Sequence, residues 1–433
     1  MTQFPDRTEA PAVTPFGPLA LPEADTVIHT SGIPVHVFDR GSDEICRITI
    51  IWPGGESDTT FCGRAALSMQ AIREGSADIS PIEMADLLDF NSARLSTTSL
   101  KHSSFIRLTC ANGRIQNVLP AIMQCVRHPA MPLKNINVNI ENAAVSAGIA
   151  LQQVATQATR LGASLIFGKS HPVNNVATPE KLRSLSREDL MATQASICNR
   201  MPAIYAAGRI SAQLLDRIMS SIDILMYNKP ETADNPGFHP MRPEKAGVRT
   251  IEVEGALQSA ICTNIPAVGR DNPDYHALRT TVIALGGYFG SRLMTNIREE
   301  KGYTYGIHAA LASDPEGAYI TISSQQDTSY TQAVIDETVS EINRLRDTLM
   351  KPDELERLRS HAMSELATVL DTPFSISEYR MCELTEGMPH DYYHKLQNTV
   401  RSISAKDIRE MARKYIDPEQ MRIAIATSST AVS

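Results

Sequence analysis

The sequence predicts an α+β protein made of two homologous repeats, and three observations predict it. The first is a recurrence: LSREDL at 185–190 and ISAKDI at 403–408 lie 218 residues apart. Each places Ser-x-x-Asp before an apolar-periodic stretch, a helix start in which hydroxyl and carboxylate take up first-turn N–H groups. Each is followed by a β-rich segment, AIYAAGRIS and RIAIATSS, and two further pairs sit upstream. RITIIW (47–52) matches SAICTNIP (259–266), and RLTCA (107–111) matches AYITISS (318–324). The second observation is KPETADNPGFHPMRPEK at 229–245, whose four prolines remove backbone donors and fix φ, so it reads as a surface linker. The third is that strand patterns come as hairpins and helical patterns as separate runs. That favours, in each repeat, a mixed, largely antiparallel sheet with helices packed on one face. The expected organisation is an extended arm over 1–24, a first repeat over 25–228, a linker over 229–247 and a second repeat over 248–433.

Composition narrows the class. At 433 residues the chain exceeds one ordinary core, and 42% hydrophobic with 21% charged residues is the balance of a folded globular protein. A formal net charge of −8 without a basic cluster argues against nucleic acid as a partner. Seven dispersed cysteines with no C-x-x-C pair read as reduced thiols of a cytoplasmic protein. The first 22 residues hold five prolines and no apolar core, so they do not read as a signal peptide. No apolar run approaches the roughly 20 residues needed to cross a bilayer.

The most specific motif is GGYFGSRLMTNIREEKGYTYG at 286–306. It is no phosphate cradle, since no G-K-[ST] follows and no acidic residue stands where a ribose would need one. It closely resembles the second-repeat segment of the insulinase/pitrilysin zinc peptidases. Ser291, Arg292, Leu293, Arg298, Glu299, Gly302, Tyr305 and Gly306 fit that pattern in order. The resemblance runs from about residue 25 to 428 and implies the two-repeat metallohydrolase fold of the processing-peptidase type.

In that family the first repeat carries H-x-x-E-H between framing glycines. The matching segment here is GRAALSMQAIREGS at 63–76, with Gly63, Gly75 and Ser76 in register. The zinc histidines fall on Ala66 and Gln70, and the general-base glutamate on Met69. The third ligand, a glutamate on a later helix, falls on Gly148, seven residues beyond Glu141. Alanine and glycine offer no lone pair, a glutamine amide is a poor zinc ligand, and a thioether takes no proton from water. The expectation is therefore no catalytic residue, no bound metal and no cofactor in this chain.

What survives is Arg298 and Tyr305, which by the resemblance reach over the cleft towards a peptide substrate. A guanidinium and a phenol can hydrogen-bond a peptide carbonyl and stabilise oxyanion charge. Because processing peptidases of this type work in pairs, the resemblance implies a non-catalytic subunit of a bacterial peptidase. It would pair with a homologous zinc-bearing subunit, or with itself, around a peptide-degrading chamber, any zinc being the partner's. An extended peptide would dock by strand addition. A competing reading is a scaffold like the core subunits of the respiratory complex. A third is a rebuilt metal site on His390 and His394 of HDYYH, which would share a helix face at that spacing. His29 and His36 bracket a hairpin, HTSGIPVH, and read as surface positions.

Overall fold

A computed structural model describes residues 8, 17–225 and 238–428. The first part of the proline-rich linker, 229–237, and most of the first 16 residues of the arm lie outside the described residues. The first half holds β1 (Asp25–Ile28), β2 (Pro34–Asp39), β3 (Ile45–Pro53), β4 (Arg94–Ser99), β5 (Ser103–Ala111) and β6 (Ala203–Gly208). Its helices are α1 (Arg64–Gln70), α2 (Pro81–Phe90), α3 (Ile115–Arg127), α4 (Leu133–Leu151), α5 (Val154–Phe167), α6 (Pro179–Arg183), α7 (Arg187–Cys198) and α8 (Ala212–Ile222). The second half holds β7 (Gly247–Glu252), β8 (Gln258–Pro266), β9 (Thr304–Asp314), β10 (Gly317–Asp327) and β11 (Arg422–Thr427). With them come α9 (Tyr275–Val282), α10 (Thr331–Asp347), α11 (Pro352–Thr368), α12 (Pro373–Thr385), α13 (Tyr392–Ser402) and α14 (Ala405–Tyr415).

The sheet orders are β1-β2-β6-β3-β5-β4 and β7-β11-β8-β10-β9. Leaving out β1, the two superimpose strand for strand, and β2–β6 and β7–β11 are the parallel pairs in each. The segments that match in sequence fall on equivalent strands: β3 with β8, β5 with β10, β6 with β11. The two Ser-x-x-Asp signals open α7 and α14 as reciprocal capping boxes, Ser186 with Asp189 and Ser404 with Asp407. The fold class is the α+β, largely antiparallel arrangement that the sequence predicts.

Each sheet lays one face on helices of its own half. Its other face is covered from the opposite half. Helix α5 of the first half lies on β8 and β11 of the second, packing Val154, Ala158 and Leu165 against Ala260, Cys262, Ala424 and Ala426. In return α12 lies on the first sheet, where Ile376 and Met381 join Phe38, Phe105 and Tyr205. The halves therefore share two interlocked layers. Small side chains on β8 and β11 let α5 approach closely, and Gly162 marks the contact. A Cβ there would stand 2.8 Å from both Cys262 Sγ and Asn264 Nδ2. Both neighbours are buried, so either must be displaced within the packed seam. Gly162→Val is accordingly expected to cost about 2–3 kcal/mol by overpacking, measured by urea unfolding; a variant as stable as the parent would refute the close contact.

The arm is tied to the second half as well. Gln397 donates to the Leu19 carbonyl at 2.8 Å, and the buried Arg380 reaches the carbonyls of Leu21 and Pro22 and the carboxylate of Glu23. The β1–β2 hairpin forms as expected, but His29 is not a surface residue. It is buried, with Nε2 3.2 Å from Asp223 and Nδ1 bonded to the Ser31 hydroxyl.

Candidate functional site

Helix α1 carries the positions where the resemblance implies zinc. Its N-cap, Gly63, sits in the left-handed region at φ 101° and has no capping side chain, so first-turn N–H groups need an acceptor from elsewhere. Glu56 supplies it. Its carboxylate accepts from the N–H groups of Gly63 at 2.8 Å, Ala66 at 2.9 Å and Ala65 at 3.4 Å. Burial pushes the Glu56 pKa up, opposed by those same backbone donors. Sequence reasoning missed this residue; the signal was a glycine opening a helix with no Ser, Thr, Asn or Asp to cap it.

The first-repeat positions then separate. Ala66 is exposed and presents a methyl group. Met69 is fully buried in the first-half core with Trp52 and Ile72, its sulfur 3.9 Å from the Cys198 thiol. Gln70 is half-buried. Helix α4 does pack beside α1, because Leu67 and Ala71 share a cluster with Ile136, Ile140 and Ala144. Gly148 continues that stripe one turn on, but a Cβ there would meet the Pro179 ring at 3.5 Å. Glu141 is exposed and held by both arms of Arg183 at 2.7 and 2.9 Å. The elements of a zinc site are thus brought together while its donor set is missing, and the side chains present do not fit zinc. Among the described residues no group of three or more His, Cys, Asp or Glu is placed to hold a metal ion.

HDYYH is not a substitute site. α13 begins at Tyr392 with Asp391 as its N-cap, so His390 precedes the helix and shares no face with His394. His390 is spent on contacts with two carboxylates, Nε2 to Glu23 and Nδ1 to Glu383, each at 3.1 Å.

The second-repeat motif folds in two π-helical turns, Ile283–Gly287 and Met294–Glu300. Such turns are uncommon and concentrate at functional sites. Gly286 lets the first turn touch β9, since a Cβ would lie 2.7 Å from that of Ala309. Arg292 is buried and binds both oxygens of Glu354, at 2.7 and 3.3 Å, which fixes it as structural. Arg298 is different. Its guanidinium lies 4.7 Å over the ring of Phe289, and its nearest carboxylate, Glu299, is 3.9 Å away. Tyr305 opens the edge strand β9 and is 93% exposed. Phe289 and Gly306, the neighbour of Tyr305, line one cavity of about 470 Å³ with Tyr288 and Met294. Neither Arg298 nor Tyr305 lines this hollow: Arg298 rests on one lining residue, the exposed Phe289, unremarked in the sequence, and Tyr305 precedes another, Gly306, along the chain.

Fold and site together define a zinc-peptidase-like protein in which the residues at the family's zinc positions are not zinc ligands. A family profile described as the peptidase M16 inactive domain matches residues 148–361. A Helicobacter pylori protein named non-peptidase homolog YmxG is 20% identical over 392 residues, 87% of each chain. A crystal structure of a peptidase M16 inactive domain from Pseudomonas fluorescens has a TM-score of 0.81 at 17% identity, covering 94% of this chain and 98% of that one. A chain of complex III from Candida albicans has a TM-score of 0.73 at 13% identity, covering 93% and 96%. At these identities the structures establish likeness of fold. The chain belongs to the M16 family, the insulinase/pitrilysin type, as a member that lacks the H-x-x-E-H motif.

Proposed function

We propose that the chain is the non-catalytic subunit of a two-component M16 peptidase. Its partner is a homologous subunit with an intact H-x-x-E-H, and the chain contributes Arg298 and Tyr305 to peptide binding. The observation that carries this reading is Tyr305. A large aromatic side chain held in solvent at the start of a sheet edge, in the same motif as an exposed Phe289 that carries Arg298 on its ring, is a surface suited to a ligand. The unpaired edge of β9 offers main-chain groups to an extended peptide. A guanidinium and a phenol there can hydrogen-bond its carbonyls. Pairing with a second copy would give the same geometry without a catalyst. A cytoplasmic setting belongs to the same reading and rests on the seven free thiols.

The test is reconstitution with the zinc-bearing homologue, following cleavage of an unstructured peptide. Activity is expected only in the mixture. Arg298→Ala with Tyr305→Ala is expected to lower kcat/KM by about 10–100-fold, the scale of losing donors to a substrate carbonyl. Unfolding of the variant should be unchanged. Cleavage by the chain alone, with stoichiometric zinc, would sink the proposal. Full activity of the double variant would favour a scaffold, the second reading, for which conversion of Met69 into core is the supporting observation.

A further inference from the structure

A different hollow, used by nothing above, lies at the seam between the halves. A cavity of about 400 Å³ opens where the end of β3 and the starts of β5 and β6 meet the β9–β10 turn and the end of α12. Its walls include Trp52, Pro315, Phe238 and Leu384. Phe238 and Leu384 are 41% and 57% exposed, so the rim is open to solvent and apolar. Volume and lining match sites that take small organic molecules.

Of the three polar residues that line it, His102, Ser103 and Thr385, the first two have buried atoms without partners. Neither ring nitrogen of His102 makes a hydrogen bond, nor does the Ser103 hydroxyl. Three orphaned polar atoms on adjacent residues of an apolar cavity mark where a hydrogen-bonding head would be received. The charge around them limits what that head can be. No residue lining the cavity carries a formal charge at neutral pH apart from a protonated His102, and burial, with Lys101 adding to it, lowers the His102 pKa. The Glu316 carboxylate stands 3.9 Å from Nε2 of the imidazole, and the Lys101 ammonium is taken by Glu316 and Asp314. Among the described residues an anionic head would meet a carboxylate and no free cation. A neutral imidazole and a hydroxyl instead offer both donors and acceptors.

We propose that the seam cavity binds an uncharged amphiphile. Its aromatic or aliphatic body lies among Trp52, Phe238 and Leu384, and its single hydrogen-bonding head is received by His102 and Ser103. The full chain can be titrated with two matched probes, N-phenylnaphthylamine, which is neutral, and anilinonaphthalene sulfonate, which adds a negative charge to the same rings. Trp52 is the only tryptophan in the chain, so its emission reports on this cavity. One equivalent of the neutral probe should bind and quench Trp52 by energy transfer. The sulfonate should bind at least about tenfold more weakly, since it brings an unpaired charge to a site without a cation. Leu384→Arg and Phe238→Asp change exposed rim positions, should leave thermal unfolding unaltered, and should each weaken the neutral probe at least about tenfold. The proposal is overturned by absence of saturable binding, by binding that ignores both variants or leaves Trp52 unquenched, or by a sulfonate that binds as tightly as the neutral probe.

Discussion

Replacing Met69 by glutamate should lower the unfolding free energy by about 3–5 kcal/mol without creating a hydrolytic base. The position is fully buried beside Trp52 and Ile72, and the group aimed at the Met69 sulfur is the Cys198 thiol, a weak donor 3.9 Å away and no countercharge for a carboxylate. A carboxyl put there can stay neutral only by raising its folded-state pKa well above the roughly 4.3 of an unfolded glutamate. The folded form then keeps a proton that the unfolded form has already released. Stability therefore falls as pH rises from about 4 towards the folded pKa, and the penalty is larger at pH 8 than at pH 4. Ala66→His and Gln70→His act at exposed and half-buried positions and should change stability by no more than about 0.5 kcal/mol each. Urea unfolding at the two pH values and zinc analysis of the combined variant, with Gly148→Glu added, check this. Stoichiometric zinc and undiminished stability would show that α1 is still an active-site helix with its ligands removed. The expected outcome says instead that the base position has become core.

The resemblance put one ligand position on the helix of Ala66 and another on a later helix, and in the structure Leu67 and Ala71 share a cluster with Ile136, Ile140 and Ala144, apolar stripes that are local signals of face. The equivalence of β3 with β8 and of β6 with β11 was legible for the same reason: strand patterns and capping boxes are written in contiguous residues. What stayed hidden was pairing at long range. An apolar face on α5 or α12 tells that the helix is covered but not by which sheet, so the exchange of helices between halves could not be read. Nor could the arm, whose prolines announce extension while its anchors, Arg380 and Gln397, lie more than 350 residues away. Glu56 was invisible because capping from outside the helix leaves no fixed spacing. At the surviving motif, Arg292 and Arg298 look equally functional as letters. Only coordinates separate the one neutralised by Glu354 from the one resting on Phe289.

The join between the halves should fail most sharply at Glu316. The side chain, in the β9–β10 turn, is 1% exposed and draws together three segments outside its own half's core. The Lys101 ammonium pairs with it, His171 Nε2 lies 3.4 Å away, and the His239 N–H donates to it at 3.2 Å. Glu316→Ala leaves the His239 N–H without its acceptor and takes the buried countercharge from Lys101. Breaking a fully buried pair costs about 3–5 kcal/mol; here Lys101 keeps Asp314 at 2.9 Å, which lowers the expectation to about 2–4 kcal/mol. Glu316→Gln keeps an acceptor for His239 but not the charge, and should fall between alanine and parent. The exposed pair Glu141–Arg183 serves as control, since Arg183→Ala should cost under about 1 kcal/mol despite its bidentate geometry. Amide exchange adds the spatial test. If Glu316 latches the halves, the Met241 amide, which bonds the Glu316 carbonyl at 2.8 Å, should exchange faster in the alanine variant while amides of the central strand β3 keep their protection. Equal losses for Glu316→Ala and Arg183→Ala would mean that the interlocked helices α5 and α12 hold the halves together without it.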